Sequence, residues 1–166
     1  DGKSFLSVLS GKRDQHKDHV YGVMTTRGII NGSTHFGIRS VRSENFKYIL
    51  NLSPEIKFRN ACTKGSIYQS WAQKAKAGDK DAIDKTNRYE NRPAEELYAI
   101  KKDTLEWKNL ADDPKFYDTK KQLRQKLDQW MKSQGDLGQQ TELDAFKHQN
   151  RNRNKKKNSK KKLKSN

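Results

Sequence analysis

The stretch Gly37–Leu52, GIRSVRSENFKYILNL, decides the fold of this chain. Residues 37–42 and 46–52 are strand-like runs, and the polar residues 43–45 between them predict a β-hairpin. In the second run Phe46, Tyr48, Leu50 and Leu52 share one face, and Lys47 and Asn51 share the other. This alternation is typical of an antiparallel strand that is buried on one face only. The stretch therefore predicts the centre of a small antiparallel sheet.

Further strands are predicted on both sides of this hairpin. His19–Thr26 (HVYGVMTT) is rich in β-branched and aromatic residues, and Glu96–Ile100 (ELYAI) is a second such run. Arg27–Phe36 contains two glycines, Asn and Ser, which predicts a loop. Residues 64–88 carry aromatic residues and alanine at near-helical spacing, which predicts one or two helices.

A well-bounded helix is predicted over residues 113–134. Asp113 can cap it, Pro114 suits its first turn, and Gly135 ends it. One apolar stripe follows the helical period and consists of Phe116, Leu123, Leu127, Trp130 and Met131. The fold class is therefore α+β, with a small antiparallel sheet packed by a C-terminal amphipathic helix.

Charge is concentrated at the end of the chain. The 166 residues carry a net charge of +16, and residues 151–166 contain nine Lys or Arg and no acidic residue. The remaining 27 basic and 20 acidic residues leave residues 1–150 with a net charge of +7. This basic segment has three possible interpretations: a solvated disordered tail, electrostatic retention of acidic glycans, or nucleic-acid binding. The predicted organisation is a connector (1–18), a folded subdomain (19–136) and a disordered Lys/Arg-rich tail (137–166).

Several classes of site and segment are disfavoured. The chain begins at Asp1 without a signal-peptide pattern, which predicts a fragment or a processed piece. Cys62 is the single cysteine and is interpreted as a small buried or inert thiol. Asp112 and Asp113 could chelate a metal but are better explained by helix capping. Zinc-ligand spacing is absent among His16, His19, His35 and His148.

Three segments, in order, resemble the C-terminal end of the sulfatases. Residues 1–6 (DGKSFL) resemble the element that leaves the catalytic domain, and the hairpin 37–52 resembles the R-x-V-R…YKYI-x-N-L strand pair. Residues 96–114 resemble the ELYDL…NLADDP segment. The departures from these motifs are Ser7, Ala99 and Thr104, which replace Pro, Asp and Pro. Residues 25–32 and the insertion around Trp71 resemble the heparan N-sulfatase (sulfamidase) branch.

This resemblance implies the C-terminal subdomain of a periplasmic or secreted enzyme. The enzyme would hydrolyse sulfate esters or N-sulfate groups, on sulfated glycans such as heparan sulfate. The implied partners are an N-terminal catalytic domain and the sulfated glycan, with no membrane. The implied cofactors, calcium and a formylglycine made from a C/S-x-P-x-R motif, belong to the missing domain. Pro54, Pro93 and Pro114 follow no such Cys or Ser, so this span predicts neither a catalytic residue nor a metal ligand.

The loop between the first two strands is the candidate substrate contact. Its polar side chains can donate hydrogen bonds to sulfate, hydroxyl or carboxylate oxygens, and arginine suits bidentate contact with such anions. The candidates are Thr25, Thr26, Arg27, Asn31, His35 and Arg39. Arg39 matches an arginine of the sulfatase motif, and it either contacts substrate or pairs with a carboxylate of the catalytic domain. His35 is either a sugar contact or an exposed loop histidine.

A different class of function stays open. A chain with a pI near 9.9 could be a small basic nucleic-acid-binding protein. Such proteins usually spread basic residues over a folded face or alternate them with stacking aromatics. Here the basic excess lies in the last sixteen residues, and most aromatics fall on predicted core faces, so the sulfatase interpretation is preferred.

Overall fold

A four-stranded antiparallel sheet forms the centre of the protein. The structure, a computed structural model, describes residues 3–26, 32–33, 35–145 and 147. The strands are β1 (Val20–Met24), β2 (Ile38–Arg42), β3 (Lys47–Asn51) and β4 (Glu95–Tyr98), in the spatial order β1-β2-β3-β4. The predicted hairpin is therefore confirmed as β2 and β3, and both flanking strands add to it.

One row of side chains across the sheet packs into the apolar core. The opposite face of β3 is also buried, at Ile49 and Asn51, so the prediction that this strand is buried on one face only was wrong. Tyr21 lies opposite Val41, Val41 opposite Tyr48, and Tyr48 opposite Leu97. These positions point to the same side because successive side chains in a strand alternate between faces. Val41, Tyr48 and Leu97 are fully buried.

The predicted C-terminal helix covers this row. After a 3₁₀ turn at Pro114–Phe116, α4 runs over Tyr117–Ser133 and buries Leu123, Leu127 and Met131. These three residues recur every four positions and so lie on one face of the helix. At the edges of the contact, Tyr21 stacks on Trp130 and Phe46 meets Phe116, with ring centroids 4.9 and 5.8 Å apart.

Two helices fill the long connection from β3 to β4. They are α2 (Ser66–Lys76), which follows a 3₁₀ turn at Ala61–Lys64, and α3 (Lys80–Glu90). Gly78, with φ of +91°, allows the turn between them, and the Asp79 side chain caps α3 by accepting the Ala82 N–H. At the N-terminus, α1 is a single turn over Leu6–Leu9.

The C-terminal boundary of the fold differs from the sequence prediction. Residues 137–166 were predicted to be a disordered tail, but residues 139–145 form a further helix, α5. Glu142 on α5 is buried. The prediction was wrong for this part because it judged the segment by its low apolar content, whereas buried ion pairs hold the segment in place. The end of the chain, 148–166, lies outside the described residues, as do the predictions made for it.

Candidate functional site

Arg39 lies on the core face of β2 and is almost completely buried, with 1% of its surface exposed. Its Nε donates to Oδ2 of Asp136 at 2.5 Å, and its Nη2 donates to Oε1 of Glu142 at 2.8 Å. Its Nη1 donates to the backbone carbonyl of Ile38 at 3.1 Å. Within this chain, the charged partners of Arg39 are therefore two of its own carboxylates.

The opposite charges in this buried cluster stabilise each other and shift the pKa values of Asp136 and Arg39. Burial by itself would raise the pKa of Asp136, but the Arg39 guanidinium and the N–H of Gly138 outweigh it and hold that pKa below its ordinary value. Burial would lower the pKa of Arg39, whereas the two carboxylates raise it above its ordinary value. Both shifts favour the charged forms of Asp136 and Arg39, as a buried ion pair requires.

Glu142 connects the ion cluster to the start of the candidate loop. Its Oε2 accepts a hydrogen bond from the Thr25 hydroxyl, directly after β1. The carboxylate reaches this position because residue 37 is glycine: a Cβ there would lie 2.6 Å from Cγ of Glu142. Thr25, predicted as a substrate donor, is thus engaged within the chain.

Thr26 ties the two ends of the same loop together. Its buried hydroxyl donates to the carbonyl of Ser33 and accepts the N–H of Phe36, the latter at 3.0 Å. The Ser33 hydroxyl in turn donates to the carbonyl of Lys57. Hydrogen bonds therefore fix the base of the loop on both sides of residues 27–31.

His35 is partly buried at the end of the loop. Its backbone has φ of +63°, a left-handed conformation that is uncommon for a residue with a side chain. The hydroxyl of Ser53 lies 2.9 Å from the His35 carbonyl and 3.0 Å from Oε1 of Gln139 on α5. The structure thus brings four candidates together at the loop base: Thr25, Thr26, His35 and Arg39. Arg27 and Asn31 lie outside the described residues.

The sequence analysis missed the carboxylates that organise this region. Asp136 and Glu142 stand 97 and 103 residues from Arg39 along the chain, within the end of the subdomain and the predicted tail. A weak signal was available, because residues 139–145 include several helix-favouring residues after Gly138. Nothing in that pattern identifies Arg39 as the partner.

The remaining site candidates have simple structural roles. Asp113 accepts the N–H of Lys115 at 3.0 Å, which confirms helix capping. Cys62 is exposed, so of the two predicted alternatives, a buried or an inert thiol, the buried one is wrong. The described residues contain no group of three or more His, Cys, Asp or Glu side chains arranged to hold a metal ion. None of their helices is both long and apolar enough to span a bilayer.

Comparison with known proteins finds sequence similarity to sulfatases. No protein-family model matches the chain. An ulvan-active sulfatase of Formosa agariphila is 36% identical over 138 residues, which cover 82% of this chain and 25% of the relative. The chain is a relative of the sulfatases. A second ulvan-active sulfatase of that organism is 32% identical over 102 residues, which cover 60% of this chain and 17% of the relative. The chain thus spans a quarter or less of the curated sulfatases that it matches.

Solved sulfatase structures contain the same fold. A 2-O GAG sulfatase superimposes with a TM-score of 0.50 at 22% identity. A candidate sulfatase from Bacteroides thetaiotaomicron gives 0.50 at 24% identity. Each match covers 81% of this chain and 20% of the solved chain. At these identities the likeness concerns the fold alone, and it confirms the predicted α+β class.

Proposed function

We propose that this chain is the C-terminal portion of a periplasmic or secreted sulfatase that acts on sulfated glycans. The observation that carries the proposal is the 36% identity with an ulvan-active sulfatase over 82% of the chain. The order of the three motif segments, over residues 1–6, 37–52 and 96–114, supports the C-terminal placement. The matched span of 25% of that relative leaves room for a much larger catalytic portion.

The nucleophile and the metal are proposed to lie in that larger portion. The chain has no Cys or Ser two residues before any of its prolines, as a formylglycine precursor requires. The described residues also offer no metal-binding cluster. The calcium and formylglycine implied by the resemblance therefore do not fit the side chains described here, and this chain would contribute binding and stability.

Apolar side chains of the first 24 residues are the proposed contact with the catalytic portion. Phe5, Leu6 and Leu9 around α1 are more than half exposed, as are Val20 and Val23 of β1. We propose that the catalytic portion covers these exposed apolar side chains. This segment also contains the connector predicted to lead out of the catalytic domain.

The loop between β1 and β2 is the proposed contribution to the rim of the substrate cleft. Its base is fixed by Thr25, Thr26 and Ser33, and a fixed base reduces the entropy lost when a loop binds a ligand. Arg27 and Asn31 are the loop side chains that we propose contact the glycan directly. Thr25, Thr26 and Arg39 would instead hold the loop, and His35 lies at its edge.

Sulfate release by the full-length protein tests the proposed function. The protein is incubated with ulvan-derived and glycosaminoglycan-derived oligosaccharides, and free sulfate is measured by ion chromatography. We expect release from at least one sulfated oligosaccharide. Absence of release from every O-sulfated and N-sulfated substrate would contradict the proposal.

The bond that is cleaved needs a separate comparison. The resemblance of residues 25–32 to heparan N-sulfatase favours N-sulfate groups, and this assignment stays a prediction. One neighbour of the fold is a 2-O GAG sulfatase, which makes the sulfate ester the competing substrate. Paired disaccharides that carry a single sulfate, on nitrogen in one and on oxygen in the other, separate the two chemistries.

The rim proposal predicts a binding defect for Arg27→Ala in the full-length enzyme. Loss of a charge-assisted hydrogen bond should raise KM about tenfold, with a smaller change in kcat. Lys126→Ala, which removes an exposed charge on α4, is the control and should leave both constants unchanged. An unchanged KM for Arg27→Ala would rule out the proposed contact.

The nucleic-acid alternative is less well supported. Its main argument is the charge of residues 151–166, whereas the sulfatase relatives align with most of the chain. Equal, salt-sensitive affinity for heparin and unrelated DNA, lost on deletion of residues 147–166, would indicate only nonspecific polycation behaviour.

A further inference from the structure

A concave surface lies between α3 and the segment that follows β4, and none of the loop-base residues lines it. We call it the tryptophan groove. It encloses about 930 Å³, a volume suited to a small ligand. The residues that matter for its chemistry are Trp71, Arg88, Arg92, Glu106, Trp107 and Lys108.

Two indole rings line this groove and remain accessible. Trp71 on α2 is 36% exposed and Trp107 is 48% exposed. An indole held at a surface loses the contacts of a buried ring, yet it offers a flat apolar face to a ligand. The apolar C–H face of a sugar ring is a suitable partner for such a surface.

The backbone around Trp107 is held in a defined turn. The Asp103 carboxylate accepts the N–H groups of Trp107 and Lys108 at 3.0 and 2.8 Å. Glu106, which lies between Asp103 and Trp107 in the sequence, has φ of +56°. This is a strained conformation that is enriched at functional positions. The Arg88 guanidinium lies 5.0 Å from the Trp107 ring centroid and donates to the Trp107 carbonyl at 2.8 Å. The ring is thus positioned before any ligand arrives.

Positive charge dominates the lining. Two acidic side chains, Glu96 and Glu106, line the groove, and they already pair with Arg92 and Lys47 at 3.7 and 2.7 Å. The basic side chains along it are Lys85, Arg88, Arg92 and Lys108, and two of them, Lys85 and Arg88, also pair with Asp81 and Asp84 of α3. Among the described residues, the buried Nε of Arg92 has no hydrogen-bond acceptor. A buried donor without an acceptor is uncommon in folded proteins.

We infer that the tryptophan groove binds one or two sugar units of an anionic glycan. The indole faces would stack on the sugar rings, and Arg88, Arg92 and Lys108 would contact their sulfate or carboxylate groups. The Glu106 carboxylate would accept hydrogen bonds from sugar hydroxyls, whereas it would repel the continuous phosphates of a nucleic acid. The inference rests on the proposed function for the class of ligand only.

Binding of a heparin-derived hexasaccharide to the full-length protein tests this inference. Affinity is measured by isothermal titration calorimetry at about 0.15 M salt, where long-range attraction by other charges is screened. Trp107→Ala and Arg88→Gln should each weaken binding about tenfold, as expected for the loss of one stacking or charged contact. Lys126→Gln removes an exposed charge from α4 and should change the affinity by less than about twofold. Urea midpoints equal to the wild type would show that each variant is folded.

Two results would overturn the inference. The first is an unchanged hexasaccharide affinity in Trp107→Ala. The second is single-stranded DNA that binds as tightly as the hexasaccharide and is weakened equally by the same substitutions, which would identify a nucleic-acid groove. Neither result depends on sulfate release, so the inference and the proposed function can fail separately.

Discussion

Arg39 places a positive charge on the face of β2 that also carries the buried Val41. Such a charge is tolerated only with partners, because desolvation of an unpaired ion costs several kcal/mol. Asp136 and Glu142 supply them, and their side chains are 9% and 3% exposed. At the residue scale, this cluster connects the sheet, the end of α4 and α5.

Replacement of Arg39 should therefore destabilise the protein strongly. Arg39→Met leaves two buried carboxylates without their cation, and the free energy of unfolding should fall by about 3–5 kcal/mol. Urea unfolding of the 166-residue chain, followed by circular dichroism, measures the loss. Lys85→Ala breaks the exposed pair with Asp81 in α3 and should cost no more than about 0.5 kcal/mol. Equal losses in the two variants would contradict the role given to Arg39.

The same cluster predicts a dependence of stability on pH. The pKa of Asp136 in the folded protein lies below its ordinary value of 3.8, so its charge stabilises the fold above that pH. This contribution is lost as the pH falls below about 4 and the folded carboxylate becomes protonated. Urea midpoints should therefore fall less steeply between about pH 5 and pH 3 in Asp136→Asn than in the wild type. Asp14→Asn, which removes an exposed carboxylate, should keep the wild-type slope.

At the element scale, α4 and the sheet form the main apolar core. Leu127 is fully buried against this sheet face, within a cluster that includes Val41, Tyr48 and Leu97. The buried stripe of α4 and the cross-strand row belong to this one cluster. The hairpin and α4 consequently stabilise each other, although residues 52–116 separate β3 from α4 in the chain.

The substitution Leu127→Ala should show how much the contact between α4 and the sheet contributes to the free energy of unfolding. Truncation of a fully buried leucine leaves a cavity and lowers the free energy of unfolding by about 2–5 kcal/mol. Leu105→Ala is the matched control, because Leu105 is 75% exposed and its loss should change stability by less than about 0.5 kcal/mol. Urea unfolding of both variants gives the comparison. A loss below about 1 kcal/mol for Leu127→Ala would indicate that α4 packs loosely on the sheet, as a surface element does.

At the scale of the whole molecule, the C-terminal boundary decides whether the ion cluster is complete. A chain that ends after Gly135 lacks Asp136 and Glu142, whereas a chain that ends after Lys147 keeps both. The free energy of unfolding of the shorter chain should be about 3 kcal/mol lower than that of the longer one, because Arg39 stays buried without a carboxylate. Urea unfolding of the two truncated chains side by side measures this difference. Equal stability would place the end of the fold at α4.

The sequence predicted the parts of the fold that follow from local periodicity. The alternation in residues 37–52 identifies β2 and β3 because each side chain's face is set by the strand itself. The stripe Leu123, Leu127 and Met131, with Asp113 ahead of it, identifies α4 for the same reason. The α+β class and the relationship to sulfatases were therefore accessible from local patterns and ordered motifs.

Only the tertiary structure decided the partners of the polar side chains. Arg39 could have faced substrate, another domain or its own chain, and the pairing with Asp136 and Glu142 spans 97 and 103 residues. The tryptophan groove likewise joins Trp71 and Trp107 from separate elements. Periodicity fixes the direction of a side chain relative to its own strand or helix. Which charge or ring it meets depends on how distant elements pack, and no local pattern encodes that.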